Sequence, residues 1–208
     1  MDFHNRRNIR LPNHDYSQPC SYFVTINIKL GQCLFGRASS PTEIQHSPLG
    51  KVAGQCWLSI PDHFPHVQLD EFVVMPNHLH GIIHLGNPPV TGTLPGYGIP
   101  WPYAPDENRN VVSPESPVRS RQIVTYGITP PTKNHFGPLP KGSLGVVIGQ
   151  YKSAVTRWAN NNRHGGLFSW HSRFYDRIIT DKEALHIARI YIRQNTAKWW
   201  EKYGENEW

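Results

Sequence analysis

A two-residue period in the sequence marks the first ordered element of the chain. Residues 21–30 read SYFVTINIKL, in which Tyr22 and Val24 alternate with Phe23 and Thr25. Successive side chains of a β-strand point to opposite faces of a sheet, and Val, Ile, Thr, Tyr and Phe are residues that strands favour. The pattern therefore predicts a half-buried strand at 21–30.

A spacing of three and four residues between apolar positions predicts three helices. The first begins with Ser47 as its N-cap, and the second begins at Ser143. The third opens with a capping-box pattern at 180–183, with Thr180 as its N-cap, and is predicted to run to about Asn195. Each helix has one apolar stripe, which is typical of a helix that packs on a sheet.

Two further strands are predicted at 67–75 and 79–85, joined by the turn signal Pro76-Asn77. A loop that runs into another strand is predicted at 169–179. The order of elements is then β, α, β, β, α, β, followed by a final helix.

The strand after the Pro76-Asn77 turn carries two histidines, His78 and His80, on either side of Leu79. Residues two apart on a strand share a face, so both imidazoles would project the same way while Leu79 points into the core. Neutral imidazole is a common ligand for divalent metals, and this spacing favours a metal pincer. The alternative is a pair of half-exposed polar positions. His84 is predicted to lie ~13 Å along the strand, too far to join the same ion.

The last predicted helix carries a second set of candidate residues. Tyr191 and Asn195 are four residues apart and lie on one face, and Gln194 flanks the same side. A phenol and a carboxamide on one helical face can supply a nucleophile and an oxygen ligand, provided that this face meets the histidine strand. The alternative is that Tyr191 is an ordinary tyrosine at the edge of the core.

The overall charge points to a polyanionic partner. The chain has 21 Lys and Arg against 15 Asp and Glu, a net charge of +6, together with seven Trp and nine Tyr. Cations beside aromatic rings suit single-stranded nucleic acid, although a modest positive excess also serves solubility. The candidate DNA-binding residues are Lys152 and Arg157 on the second helix, and Arg173 and Arg177 in the segment that follows it.

Composition also bounds the setting and the domain organisation. The three cysteines form no CxxC pair, and no run of 18 apolar residues or apolar signal segment occurs, so we expect a cytoplasmic protein with no membrane partner. Twelve of the 19 prolines fall within residues 87–142. We therefore expect a single domain over 1–208, with a loop or disordered insertion at 87–142.

Five segments together resemble one protein family, the single-tyrosine HUH transposases, and within it the REP-associated tyrosine transposases. The matching segments occur in the order found in that family and cover most of the chain outside the insertion. They are YFVTINIK, VVMPNHLHGIIHL, GQYKSAVTRWAN, WHSRFYDRII and ARIYIRQNTAKW.

The resemblance implies roles for particular residues. The family's His-hydrophobe-His motif matches His78 and His80, which would hold Mg²⁺ or Mn²⁺, with Asn195 or Gln194 as the third ligand. The family's nucleophile matches Tyr191. In the family this helix commonly continues into Asn-Pro, whereas here Thr196 follows Asn195, which weakens the match at that ligand.

The resemblance also implies a fold and an activity. The expected fold class is α+β, a ferredoxin-like antiparallel sheet with helices on one face, and the order of predicted elements is compatible with it. The expected activity is cleavage of single-stranded DNA beside a hairpin, through a covalent 5′-phosphotyrosine that can rejoin DNA. Phenols ionise well above neutral pH, so we expect a cation to assist, either the metal or Lys152.

Two other functions remain open at the level of sequence. One is a hairpin-binding protein that has kept the fold and lost the chemistry. The other is a zinc hydrolase, which is disfavoured because no HExxH motif or nearby Cys and Asp set completes a tetrahedral shell. The resemblance leaves the protein as a monomer or a homodimer.

Overall fold

The computed structural model of the protein describes residues 14–86, 141–162 and 168–204. The predicted insertion at 87–142 lies outside these residues except for 141 and 142. The elements, in chain order, are β1 (Cys20–Asn27), β2 (Gly36–Ser40), β3 (Glu43–His46), α1 (Pro48–Leu58), α2 (Ile60–His63), β4 (Val67–Val74), β5 (His78–Leu85), α3 (Leu144–Asn161), β6 (Tyr175–Ile179) and α4 (Lys182–Tyr203).

Four of the strands form one antiparallel sheet in the order β4-β5-β1-β6. The first strand lies between the third and fourth strands of this sheet, and α1 and α3 provide the crossovers. This is the ferredoxin-like arrangement, so the predicted α+β fold class is confirmed. The strands β2 and β3 form a separate two-stranded sheet that the predicted order of elements did not include.

The main core lies between one face of the sheet and the helices α1 and α3. The alternation predicted for β1 is observed, because Tyr22, Val24 and Ile26 are buried in this core. Trp57 of α1 and Tyr151 of α3 fill its centre and meet edge to face. Their burial removes large apolar surfaces from water, which is the main source of stability for such a layer.

Helix α4 packs on the other face of the sheet, whereas the expectation placed the helices on one face. Its Tyr191 contacts Phe23, and its Trp199 contacts His78, both of which point away from the main core. The physical reason is that this face carries histidines and carboxylates among its apolar residues, so a helix with polar contacts of its own can cover it.

The bounds of α4 also differ from those predicted. The N-cap is Asp181, one residue after the predicted Thr180, because the Asp181 carboxylate accepts a hydrogen bond of 2.8 Å from the Ala184 backbone amide. The helix continues to Tyr203, eight residues beyond the predicted end. The added turns are held by Trp199, which is buried against the sheet.

Two ion pairs at a β-bulge in β4 hold α4 against the sheet. The register between β4 and β5 shifts at 69–72, and such a shift lets two consecutive side chains reach the same face. Asp70 accepts hydrogen bonds from Arg189 Nη2 at 2.6 Å and Nε at 3.1 Å. The neighbouring Glu71 accepts from Arg193 Nε at 2.9 Å. Two carboxylates of one strand therefore hold two arginines of α4.

The other helix starts follow the sequence closely. Ser47 caps α1, as predicted, by accepting a hydrogen bond of 3.1 Å from the Gly50 amide, and α3 begins directly after Ser143, where order was predicted to resume. Within the three described ranges, none of the helices combines the length and the apolar character that a transmembrane span needs.

Candidate active site

The two histidines at the start of β5 converge on one point. His78 and His80 project from the same side of the strand while Leu79 is fully buried on the other. The two Nε2 atoms are 3.0 Å apart. At this distance the two nitrogens can act together as ligands to one divalent cation.

Two neighbouring side chains orient these rings. Asn77 Nδ2 donates to the Gly31 carbonyl at 3.1 Å, so Asn77 Oδ1 faces His78 and accepts from its Nδ1 at 2.6 Å. His78 Nε2 consequently carries a lone pair, which faces His80 Nε2. The Thr25 hydroxyl contacts His80 Nδ1 at 2.8 Å and can act there as donor or acceptor. Such partners set which ring nitrogen is available to a metal.

Burial keeps both imidazoles neutral. It lowers the pKa of His78 to about 4, and burial together with the charge of its neighbour lowers the pKa of His80 to about 3. At neutral pH both rings therefore carry lone pairs, and protons compete little with a cation for them.

Tyr191 of α4 stands directly beside this histidine pair. Its ring centroid lies 5.2 Å from that of His80 and 5.6 Å from that of Phe23. The side chain is nevertheless 41% exposed, so an incoming molecule can reach it. The condition set by the sequence, that the tyrosine face of the last helix meets the histidine strand, is satisfied.

Asn195 occupies the same face of α4, one turn after Tyr191 and one turn before Trp199. Tyr191 contacts His80 and Trp199 contacts His78 at a centroid distance of 5.8 Å, so Asn195 lies between them on the side of α4 that meets the imidazole pair. Asn195 is 7% exposed, while Gln194 is exposed. Of the two predicted third ligands, Asn195 is the better placed.

No third His, Cys, Asp or Glu joins the pair within 14–86, 141–162 and 168–204. A cation held here would therefore depend on amide, water or substrate oxygens for its remaining ligands, as Mg²⁺ and Mn²⁺ commonly do. His84, which the sequence set aside, contacts Ser21 Oγ at 2.6 Å and Asp70 Oδ2 at 3.1 Å.

A lysine that the sequence reading missed lies over the tyrosine. Lys198 Nζ is 5.3 Å from the centroid of the Tyr191 ring. The seven-residue spacing, two helical turns, is the signal that could have found it. Lys152, the lysine proposed as a helper, lies on α3 beyond the opposite face of the sheet, where it donates to the His171 carbonyl at 2.7 Å. Burial lowers the pKa of Lys152 to about 8.

The four predicted DNA-binding residues fall into separate regions. Arg177 on β6 pairs with Phe23 in the sheet register and borders a cleft that reaches Tyr191. Arg173 is exposed in the loop before β6, and Arg157 is exposed on α3. Of the four, Arg177 alone lines the cleft that Tyr191 also lines.

The fold and this site together define a class of protein. It is a ferredoxin-like α+β protein in which two histidines on a strand face a tyrosine on a helix. The chain is 30% identical over 197 residues to an uncharacterized protein of Haemophilus influenzae, a match that covers 94% of this chain and 91% of that protein. The chain belongs to the same family as this Haemophilus influenzae protein.

Two other comparisons complete the picture. A solved structure of a REP-associated tyrosine transposase bound to a REP hairpin matches with a TM-score of 0.49 and 14% identity, over 91% of this chain and 73% of that one. No family model matches the sequence.

Proposed function

We propose that this protein is a transposase that nicks single-stranded DNA beside a hairpin and transfers the cut strand through a tyrosine. The observation that carries the proposal is the position of Tyr191 beside the two converging histidines, with 5.2 Å between the centroids of the Tyr191 and His80 rings. The motifs that surround these residues resemble those of the HUH transposases. A nucleophile beside a candidate cation site is the arrangement that phosphoryl transfer requires.

The reaction is a transesterification. The Tyr191 oxygen attacks the scissile phosphorus and loses its proton, while the bond from phosphorus to the 3′-oxygen breaks and that oxygen gains a proton. The products are a 5′-phosphotyrosine and a free 3′-hydroxyl. The number of phosphoester bonds does not change, so a second 3′-hydroxyl can reverse the step on another strand without an energy cofactor.

His78 and His80 would hold a divalent cation, Mg²⁺ or Mn²⁺, with Asn195 as the protein's third ligand. When bound, such an ion supplies positive charge to the phosphate. The protein's own contribution is orientation, because Asn77 and Thr25 contact the Nδ1 atoms of the two rings and so direct both Nε2 atoms toward one point.

Lys198 is the cationic side chain that we expect to assist Tyr191 electrostatically. Its ammonium lies over the Tyr191 ring, where it favours negative charge on the phenol oxygen and on an approaching phosphate. The exposed side of Tyr191 leaves the DNA a path to the nucleophile.

The test is the formation of a covalent adduct. Purified protein is incubated with Mn²⁺ and hairpin-bearing single strands taken from the flanks of its own gene, and adducts that survive denaturing gels are mapped by mass spectrometry. We expect an adduct on Tyr191 that the Tyr191→Phe variant does not form. Tyr175→Phe is the matched control, because Tyr175 is similarly exposed, at 47%, and should react as the wild type does. An adduct that persists in Tyr191→Phe would show that the nucleophile is another residue.

A second candidate function is a non-catalytic binder of hairpin DNA. It is favoured by the absence of a third His, Cys, Asp or Glu beside the pair among the described residues. In that case no adduct forms, and hairpin affinity survives both His78→Ala and His80→Ala. Loss of metal-dependent cleavage in these variants, with retained binding, supports the transposase instead.

A further inference from the structure

A cleft opens on the α4 side of the sheet, directly beside Tyr191. It lies between β6 and the first half of α4 and has a volume of about 430 Å³. This is within the usual size of small-ligand sites, ~300–1,000 Å³. We call it the β6–α4 cleft and define it by its apolar wall of Phe23, Ile179, Ala184 and Ala188, with Tyr191 at one end and Arg177 at the rim.

The wall suits a flat, partly apolar group. The Phe23 and Tyr191 rings meet edge to face at 5.6 Å, so the Phe23 and Tyr191 end of the cleft is aromatic. Ile187, which also lines the cleft, is 56% exposed and adds apolar surface to it. Nucleobases gain ~1–3 kcal/mol by stacking on aromatic side chains.

The charges in the cleft give a bound nucleotide a direction. Among the described residues that line it, Arg177 is the only cation, and the acidic Asp181 and Glu183 lie at the start of α4. Asp181 also occupies the N-terminus of that helix as its N-cap. A phosphate is therefore attracted toward Arg177 and repelled by the acidic end, where the amino groups of a base find acceptors.

We propose that the β6–α4 cleft binds one unstacked nucleobase of a single DNA strand, with the attached phosphate at the Arg177 and Tyr191 end. The proposal rests on the proposed function, since it places this nucleotide next to the phosphate that Tyr191 attacks. It adds a substrate subsite: the bound base positions the strand, and Glu183 favours bases with an exocyclic amino group.

The experiment measures binding without cleavage. Hairpin-bearing single strands carry the fluorescent base 2-aminopurine at successive positions, and the full chain is titrated with each strand in EDTA. We expect one or two neighbouring positions to change fluorescence on binding. In Ala184→Leu, which narrows the cleft, we expect that change to disappear and the affinity to fall by ~10-fold. Ala197→Leu, the same enlargement elsewhere on α4, is the matched control and should leave both unchanged.

A second variant tests the proposal independently of whether Ala184→Leu folds correctly. Glu183→Gln adds no volume, and we expect it to reduce the preference for adenine or cytosine over thymine at the same position by several-fold, with circular dichroism unchanged. An abasic nucleotide there should lower wild-type affinity as much as Ala184→Leu does, with no further loss when the two are combined.

The outcomes separate this proposal from the proposed function. If the 2-aminopurine signal is the same in Ala184→Leu and Ala197→Leu, or if the abasic strand binds the wild type normally, the cleft is not a base subsite, even where the Tyr191 adduct forms. If the base-specific signal is present and no adduct forms with Mn²⁺, the subsite stands and the transposase chemistry is wrong.

Discussion

The ion pair between Asp70 and Arg189 yields a prediction about how α4 is held. Arg189 and Arg193 lie on one side of the helix, and Tyr191 projects from the opposite side, toward β1. We expect loss of these contacts to let the helix rotate about its axis and to move the phenol away from His80. We therefore expect Asp70→Asn, which removes the charge and keeps the shape, to weaken both the fold and the site.

The expected loss of stability can be worked out from the pKa of the Asp70 carboxyl group. Hydrogen bonds from Arg189, assisted by His84 and the Glu71 amide, lower the pKa of Asp70 from 3.8 to about 2, although partial burial opposes this. A difference of that size corresponds to ~2 kcal/mol at ~1.4 kcal/mol per pKa unit. The Asp70 side chain is 12% exposed and the Arg189 side chain 39%, so solvent screens the pair, and we expect Asp70→Asn to lose ~1–2 kcal/mol at pH 7.

The pH dependence of stability shows whether the charge of Asp70 is responsible for this effect. The folded pKa is depressed, so the stabilisation is fully present above the unfolded pKa near 3.8 and is lost as the pH falls through about 2. Urea unfolding of wild type and Asp70→Asn, followed by circular dichroism, should therefore differ at pH 7 and converge between pH 4 and pH 2. Glu71→Gln is the control, and a smaller loss is expected because the Glu71 and Arg193 side chains are 25% and 65% exposed.

Two results would refute the reasoning. One is an Asp70→Asn variant as stable as the wild type at pH 7. The other is a difference in stability that stays constant down to pH 2, which would assign the effect to packing and not to the charge. The adduct assay with Mn²⁺ adds a functional readout, in which Asp70→Asn should react more slowly than Glu71→Gln.

Two more predictions concern the histidine pair and the core beneath it. Thr25→Val removes the partner of His80 Nδ1, and we expect a ~10-fold loss of Mn²⁺ affinity by calorimetric titration. Thr25→Ser is the control and should bind Mn²⁺ about as well as the wild type. Equal affinity in Thr25→Val and the wild type would mean that the hydroxyl does not orient the ring. Gly81→Ala would place a methyl group 2.3 Å from Trp57 Cζ2, and we expect a loss of ~1–3 kcal/mol in urea unfolding. Gly54→Ala is its control, since the added carbon lies 3.8 Å from the nearest atom, and a loss as large there would contradict the steric explanation.

Much of the fold could be predicted because it depends on local patterns. The alternation of Tyr22 and Val24 with Phe23 and Thr25 assigns the two faces of β1, and Ser47 and Ser143 mark the starts of two helices. The end of α4 could not be predicted in this way. It extends to Tyr203 because of a long-range contact, the burial of Trp199 against His78, and no local signal encodes that contact.

The candidate site divides in the same manner. The spacing of His78 and His80 alone requires two imidazoles on one side of a strand, and the spacing of Tyr191 and Asn195 requires a phenol and a carboxamide on one face of a helix. The roles assigned to these residues stay predictions. Their meeting, 113 positions apart between His78 and Tyr191, depends on α4 crossing the sheet on the face away from α1 and α3.

Only the tertiary structure chose the neighbours that surround this meeting point. Thr25 reaches His80 because β1 and β5 pair in one register, and Lys198 lies over Tyr191 because α4 continues past its predicted end. The bulge at Asp70 and Glu71, which turns two consecutive carboxylates toward one helix, decides how that helix is seated. Periodicity is a property of neighbours in the chain, whereas register, helix seating and the β6–α4 cleft are set by contacts between residues far apart in it.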